Sequence, residues 1–313
     1  MLLLLACNPP GLPEQAAPLV TPTGPIATSI VVLGTIQDGG SPHIGCAKDC
    51  CQALFEHPDE NRQVVSLGLY DAPNNKRYLF EATPDFSRQT KALKNYGAPT
   101  NQEMPDGIFL THAHIGHYAG LMYLGKEARG ADEVPVFAMP KMKTFLESNG
   151  PWSQLVSEKN ILLQPLTNEE AVRLSQRISV TPIQVPHRDE FSETVGYRIT
   201  GPQKTALFIP DIDKWEKWEK DIIEEISKVD YAFLDATFYS GAEIGNRDIS
   251  LIPHPFISES LEKFGSLSTT EKQKVIFIHF NHTNPVIDRG SPAAANVLEA
   301  GFRIAEIGEV FDL

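Results

Sequence analysis

The sequence predicts an α+β fold of the αββα type, in which two mostly antiparallel β-sheets pack face to face and helices cover the outside. Many short β-rich runs follow one another along the chain, and helical stretches interrupt and follow two groups of these runs. No tandem repeat or low-complexity run divides the body. With 313 residues, 42% of them apolar, the chain can bury one full hydrophobic core. We therefore expect a single domain over residues 29–313.

The strands are predicted from short runs rich in β-branched and aromatic residues. In the first half of the body these runs span residues 30–36, 64–71, 77–82, 107–112, 134–139 and 160–166. In the second half they span residues 178–187, 194–200, 205–213, 231–238, 274–280 and 302–313. The helices are predicted at 85–96, 116–129, 140–149, 213–228, 256–264 and 291–300, several of them opened by Pro, Asp or Ser as caps.

The overall charge argues against nucleic acid as a partner. Lys and Arg number 27 against 40 Asp and Glu, which gives a net charge of -13. Such a surface repels phosphate backbones as a whole. The composition therefore favours a small-molecule substrate.

The first seven residues, MLLLLAC, predict a lipoprotein signal that ends at Cys7. The alternative interpretation is a frayed apolar terminus. Residues 8–28 are rich in proline and predict an extended tether that does not pack. A lipid on Cys7 would be the chain's contact with a membrane. These features predict a bacterial cell-envelope protein, lipid-anchored or periplasmic, and the alternative is a cytoplasmic one.

The segment LTHAHIGHYAGL carries the clearest chemical signal. His112 and His114 stand two apart in extended chain and so point the same way. His117 follows at the mouth of the next predicted helix. Packing does not explain three imidazoles on one strand-to-helix turn, so the segment predicts a metal site.

Further candidate ligands stand where later predicted strands end. They are His187, Asp211 and His279. Because strand ends can gather at one rim of the sheets, we expect these side chains to complete the metal site. Taken singly, Asp211 could instead cap a helix that begins near Asp213, and His187 could be a loop residue.

These residues resemble the signature of the metallo-β-lactamase superfamily, HxHxDH followed by a distant His, an Asp and a last His. The resemblance runs through most of residues 30–313. It implies that His112, His114 and His187 hold one metal, that Asp211 bridges, and that His117 with His279 holds a second. It also implies zinc, as one or two ions.

Gly116 departs from that signature, which has Asp at this position. The second metal therefore loses a carboxylate ligand, and the attacking water loses its usual proton acceptor. The departure makes a site with one metal an alternative to a site with two.

A closer resemblance is to the B-protein family of pyrroloquinoline quinone biosynthesis. It rests on the stretches LGTIQDGGSPHIGCAKDCC, LFEATPDF, DYAFLDATF and IFIHFNHTNPVID. The resemblance implies that Cys46, Cys50 and Cys51 hold a structural zinc away from the active site, with a histidine as the fourth ligand. The alternative for the cysteines is buried free thiols or a vicinal pair.

Several polar residues follow the last predicted ligand or align with the same relatives. We expect His282 to act in catalysis together with Asp211, and His254, Thr283 and Asn284 to line a substrate pocket. Capping and core-edge roles are the alternatives for these residues.

Other polar residues are expected to support the site rather than bind the metal. Asp38 and the glycines Gly39 and Gly40 are expected to shape a loop near the rim. Glu81 and Asp235 end strands and are expected to contact the ligands.

The sequence supports a metal-dependent hydrolase, in which a metal-bound hydroxide attacks an ester, an amide or lactone, or a phosphodiester. The alternative is a non-haem iron oxygenase, with iron at the second site. His117, Asp211 and His279 would supply its two histidines and one carboxylate. A lipoprotein that binds metal or ligand without turnover is the third hypothesis.

Overall fold

The computed structural model describes residues 27–188, 190–244 and 252–313. The predicted signal and nearly all of the predicted tether lie outside these ranges, so both stay predictions. No helix in the described part of the chain is long and apolar enough to cross a membrane.

Within the described ranges, fourteen strands form two seven-stranded sheets. The strands are β1 (Ser29–Gly34), β2 (Ser66–Asp71), β3 (Lys76–Phe80), β4 (Gly107–Phe109), β5 (Val134–Ala138), β6 (Ile161–Pro165), β7 (Val172–Arg173), β8 (Ser179–Gln184), β9 (Val195–Thr200), β10 (Thr205–Ile209), β11 (Tyr231–Asp235), β12 (Val275–Ile278), β13 (Arg303–Ile304) and β14 (Val310–Asp312). The first sheet has the order β14-β1-β2-β3-β4-β5-β6, and the second has the order β13-β12-β11-β10-β9-β8-β7.

The α-helices lie mostly between strands. They are α1 (Asp49–Glu56), α2 (Phe86–Lys94), α3 (Ile115–Tyr118), α4 (Pro140–Ser148), α5 (Trp152–Ser157), α6 (Ile222–Ser227), α7 (Ile257–Lys263), α8 (Thr269–Lys272) and α9 (Pro292–Glu299). Sequence reasoning missed α1, α5 and α8. The helix predicted at 213–228 was too long, because the chain forms only a 3-10 turn at Trp215–Lys217 before Asp221 caps α6.

The strand directions differ from the prediction of mostly antiparallel sheets. In each sheet three neighbouring pairs are antiparallel and three are parallel. The parallel pairs are β3 to β6 and β10 to β13, where helices connect successive strands. A parallel pair requires such a crossover, whereas a hairpin gives an antiparallel pair. Both sheets are therefore mixed.

The last predicted strand, 302–313, is in fact two strands in different sheets. β13 pairs with β12 in the second sheet, and β14 pairs with β1 in the first. Gly308 lies between them with φ 87°, a left-handed conformation that glycine adopts without a Cβ penalty. The C-terminus therefore links the two layers of the sandwich.

The main hydrophobic core lies between the two sheets. Phe80 of the first sheet contacts Tyr197 and Phe208 of the second, with ring centroids 5.5 and 6.2 Å apart. Full burial of such a side chain contributes roughly 1.5–3 kcal/mol. Two further clusters bury the outer faces, one under α2, α4 and α5 and the other under α6, α7 and α9. These layers confirm the αββα sandwich.

Candidate metal centre

The histidine turn lies at the end of β4. The chain stays extended after Phe109, carries His112 and His114, and then begins α3 at Ile115. His117 lies in the first turn of α3, where its amide donates to the His114 carbonyl at 2.9 Å. All three predicted histidines are thus held within one strand-to-helix connection.

The later ligands follow strands whose C-terminal ends meet at the same edge. Asp211 lies two residues after β10, and His279 directly follows β12. His187 lies three residues beyond β8. Since β10, β11 and β12 run parallel, the residues that follow them gather at one edge of the second sheet. The first sheet brings the end of β4 to the same place.

Asp211 is the hub of this edge. Its Oδ2 lies 3.4 Å from His112 Nε2, 3.7 Å from His117 Nε2 and 3.9 Å from His279 Nε2. Its Oδ1 lies 3.2 Å from His187 Nε2. We call these residues, together with His114, the histidine centre. Ligand atoms of His112, His114, His187 and Asp211 all lie within 4.8 Å of one another.

The polar atoms at the heart of the histidine centre lack partners. Nε2 of His112, His117 and His279 and Oδ1 of Asp211 are buried and have no hydrogen-bond partner among the described residues. An unsatisfied buried polar atom costs about 1–3 kcal/mol. A convergent group of imidazole nitrogens and carboxylate oxygen is the donor set of zinc. The residues present therefore fit a metal.

Two hydrogen-bond relays, one from each sheet, set the orientation of two of these imidazoles, His112 and His279. In the first relay, Thr111 Oγ1 donates to Glu81 at 2.5 Å and lies 2.8 Å from His112 Nδ1. The Thr111 hydroxyl has one proton, which it donates to the Glu81 carboxylate. It therefore accepts a hydrogen bond from the imidazole, so Nδ1 of His112 carries the proton. Its Nε2 is left as a bare lone pair, which is the form that binds metal.

The second relay repeats this arrangement at the other sheet. Thr237 Oγ1 donates to Asp235 at 2.7 Å and lies 2.8 Å from His279 Nδ1. The network again leaves Nε2 unprotonated. Glu81 and Asp235 therefore have the supporting position that was predicted for them. The threonines were missed, although each lies one or two positions from a predicted residue.

Charge interactions across the centre shift several pKa values. Burial alone would lower the pKa of His117, but Glu81, Asp38 and Asp211 raise it to about 9. Burial would raise the pKa of Asp211, but the surrounding histidines hold it well below its usual range. Burial lowers the pKa of His112 far below its ordinary value. The centre thus holds Asp211 as a carboxylate.

Two residues of this edge adopt left-handed backbone conformations without being glycine. Glu81 has φ 76° and His279 has φ 71°. Such conformations cost on the order of 1–3 kcal/mol each and cluster at functional sites. Here each directs a side chain of the centre or of its relays.

His254, which was predicted to line a substrate pocket, lies beside the centre. Its Nδ1 is 2.9 Å from Asp235 Oδ2 and 3.1 Å from Asp211 Oδ1. Burial opposes the charged ring, but the two carboxylates raise its pKa well above the ordinary value. The His254 side chain keeps 13% of its surface exposed and the His114 side chain keeps 33%, and we call this solvent-exposed side of the centre the opening.

The cysteines form a second group with His282. Ligand atoms of Cys46, Cys51 and His282 lie within 4.8 Å of one another, and we call these three residues the cysteine cluster. Cys50 Sγ lies 3.9 Å from Cys46 Sγ but is exposed. Burial and neighbouring thiols raise the pKa of Cys51 to about 11. The histidine expected as a partner of the cysteines is thus His282.

His282 and Asn284 do not occupy the places that were predicted for them. The rings of His282 and His43 are stacked, with their centroids 4.5 Å apart. His282 thus lies in the cysteine cluster, and this position does not support a catalytic role beside Asp211. Asn284 is buried, where its Oδ1 accepts from the Val286 amide at 3.0 Å and its Nδ2 donates to the Ala236 carbonyl at 2.8 Å. It is a capping residue and does not line a pocket.

Thr283 and Asp213 also have partners of their own. Thr283 Oγ1 lies 3.3 Å from Glu243 Oε2. Among the described residues, no hydrogen bond joins Thr283 to the histidine centre. Oδ1 of Asp213 lies 3.5 Å from His187 Nδ1. At this distance Asp213 places a carboxylate beside that ligand, but no hydrogen bond joins the two side chains among the described residues.

Comparison with known proteins identifies a family and similar sequences. Residues 76–280 match the sequence family of the beta-lactamase superfamily domain. Coenzyme PQQ synthesis protein B from Gluconobacter oxydans (strain 621H) is 24% identical over 308 residues, covering 91% of this chain and 98% of that protein. The protein of that name from Methylorubrum extorquens (strain PA1) is 23% identical over 305 residues, covering 91% and 99%.

Solved structures give the same fold. Zn(2+)-bound PqqB from Methylobacterium extorquens superposes with a TM-score of 0.74 at 21% identity, covering 91% of this chain and 100% of that one. A diphosphatase from the PhnP family superposes with a TM-score of 0.62 at 22% identity, covering 91% and 97%. At this level of identity the likeness establishes the fold.

Proposed function

Because the chain belongs to the metallo-β-lactamase superfamily, we propose that it is a metal-dependent hydrolase of small molecules. The observation that carries this proposal is the set of unpartnered, buried Nε2 atoms that converge on Asp211. Two relays fix His112 and His279 in the form that binds a metal, and the fold supplies the histidines from both sheets.

The histidine centre offers its donors in two groups. His112, His114, His187 and Asp211 would hold one ion, and His117, His279 and Asp211 face the position of a second. Zinc suits donors of these types. When bound, such an ion lowers the pKa of a water molecule to near 7 and so supplies a nucleophile at neutral pH.

The chain's own residues would position that water and the substrate. Asp211 is held as a carboxylate, and its Oδ1 can accept a hydrogen bond from that water and so orient it. His254 Nδ1 already contacts Asp211 and Asp235, which fixes the ring beside the opening. We propose that His254 contacts the substrate, as predicted from the sequence.

The opening favours a small substrate with an apolar part. The side chain of His114 is 33% exposed. The next residue, Ile115, is exposed. Phe191 is also exposed, and its ring centroid lies 5.3 Å from that of Phe145. Esters, amides or lactones, and phosphodiesters are the proposed substrate classes. The diphosphatase among the structural relatives supports a phosphate ester in the test panel.

Hydrolysis by the zinc-loaded protein tests the proposal. Chromogenic esters, lactones and bis(4-nitrophenyl) phosphate would be offered to wild type, His112→Ala and His57→Ala, the last a matched control because His57 is exposed. We expect His112→Ala to lose its bound metal and to hydrolyse the substrates at least about 100-fold more slowly. Removing a partner of a ligand already lowers activity about 10–100-fold, and removing the ligand itself should lower it more. His57→Ala should match wild type. Unchanged hydrolysis in His112→Ala would refute the proposal.

The second candidate function is oxygen chemistry on iron. His117, His279 and Asp211 are two histidines and one carboxylate, the ligand set of non-haem Fe(II) oxygenases. Oxygen uptake after anaerobic reconstitution with Fe(II), measured on small phenolic and amino-acid substrates, would favour it. Tight zinc binding with neither uptake nor hydrolysis would instead indicate a binding protein without turnover.

A further inference from the structure

Gly116 stands where the superfamily signature has an aspartate, and the structure shows what fills that place. A Cβ added to Gly116 would lie 2.3 Å from Asp38 Cβ, 2.6 Å from the Asp38 carbonyl oxygen and 2.8 Å from Asp38 Cα. Real Cβ atoms do not approach other atoms so closely. A side chain at position 116 and the present path of residue 38 therefore exclude each other.

Asp38 brings a carboxylate to the ligands that Gly116 leaves without one. Ligand atoms of Asp38, His117 and His279 all lie within 4.8 Å of one another. Both histidines are fully buried, and both have an Nε2 without a hydrogen-bond partner among the described residues. The three residues thus form a second convergent donor set, distinct from His112, His114 and His187.

The backbone holds Asp38 in register with His279. The Gln37 amide donates to the Phe280 carbonyl at 2.9 Å, and the Phe280 amide donates to the Thr35 carbonyl at 2.8 Å. Ile36 forms parallel bridges to both Val64 and Phe280. The segment after β1 is therefore tied to the residue that follows His279.

The side chain of Asp38 is also directed. Gln37 Nε2 donates to Asp38 Oδ1, which restrains the carboxylate and leaves Oδ2 for another partner. Gly40 follows in the left-handed region with φ 77°, and its amide donates to the Gln37 carbonyl at 2.9 Å. The DGG stretch is therefore a turn that presents Asp38, beyond the general loop-shaping role predicted for it.

We propose that Asp38 replaces the missing aspartate and ligates a second metal together with His117, His279 and Asp211. The carboxylate reaches the same histidines from the loop after β1 instead of from α3. The proposal rests on the metal centre of the proposed function, and it restores the two-metal alternative that Gly116 had put in question.

Zinc titration of the metal-free protein tests this proposal without any substrate. Isothermal calorimetry and metal analysis by plasma mass spectrometry would compare wild type with Asp38→Asn, which keeps the shape and removes the charge. His117→Ala marks loss of the second ion, and Asp132→Asn is the matched control because Asp132 is exposed. The cysteine cluster is intact in all four proteins and contributes equally to the count.

We expect Asp38→Asn to weaken one ion by more than about 100-fold, the same ion that His117→Ala loses, because supporting residues alone already change affinity by 10–100-fold. Asp132→Asn should bind like wild type. Gly116→Ala should weaken the same ion, since its methyl group displaces Asp38. Circular dichroism of the metal-free variants checks that each is folded.

Wild-type affinity for both ions in Asp38→Asn, or uptake of a single ion by the histidine centre of wild type, would overturn the proposal. Its failure differs from failure of the proposed function. If Asp38→Asn loses an ion but wild type hydrolyses nothing, the ligand assignment stands and the hydrolase does not.

Discussion

The histidine centre and the cysteine cluster are two candidate metal sites built in opposite ways. Ligands of the histidine centre follow strand ends of both sheets, and most of them are buried. Ligands of the cysteine cluster come from the loop after β1, from the short helix α1 and from the turn after β12, and Cys46 and His282 are partly exposed. The first site is thus built from strand ends and buried in the fold, whereas the second is built from loops and a short helix and is more exposed.

The largest effect should come from the hub of the histidine centre. Asp211 faces both donor groups, so Asp211→Asn should weaken zinc binding at both positions by more than about 100-fold. The cysteine cluster should keep its own ion in that variant. Metal analysis would show this as loss of every ion except one. An unchanged ion count would break the distinction between the two sites.

The relays should give an intermediate effect. Thr237→Val keeps the shape of the side chain but removes the hydroxyl between His279 and Asp235. Zinc affinity should fall by about 10–100-fold, which is typical for partners of metal ligands. Thr237→Ser restores the hydroxyl and should bind zinc nearly as wild type does. Equal affinities in the valine and serine variants would show that the relay does not orient His279.

The smallest effect on hydrolysis should come from the cysteine cluster. Cys46→Ser should remove one zinc ion and speed amide hydrogen exchange in α1, because few buried contacts hold that helix without the ion. Exchange at β4 and α3 should stay unchanged, and hydrolysis should persist. Loss of hydrolysis in a folded Cys46→Ser variant would mean that the two sites act together.

Sequence reasoning identified ligands that local pattern can specify. The spacing of His112, His114 and His117 indicates a strand-to-helix turn, and Asp211 and His279 stand at the ends of clear apolar runs. The parallel strand directions that bring these ends together follow from crossovers whose helices were predicted. The sheets were nevertheless predicted to be mostly antiparallel, because the strand runs alone do not specify direction.

What sequence reasoning missed depends on contacts between distant segments. Asp38 meets His279 only because Ile36 bridges to Phe280, about 240 positions along the chain. His282 is only three residues beyond His279, yet it joins the cysteine cluster because the turn after β12 meets the loop after β1. Neither pairing has a local signal, since each follows from how the sheets pack.

An anomalous-scattering map of zinc-loaded crystals, recorded at the zinc absorption edge, would locate each ion and identify the residues beside it. We expect two peaks at the histidine centre, one beside His112, His114 and His187 and the other beside Asp38, His117 and His279. A separate peak should lie at the cysteine cluster. A histidine centre without any peak would contradict the metal assignment, and a single peak remote from Asp38 would contradict the role of that carboxylate.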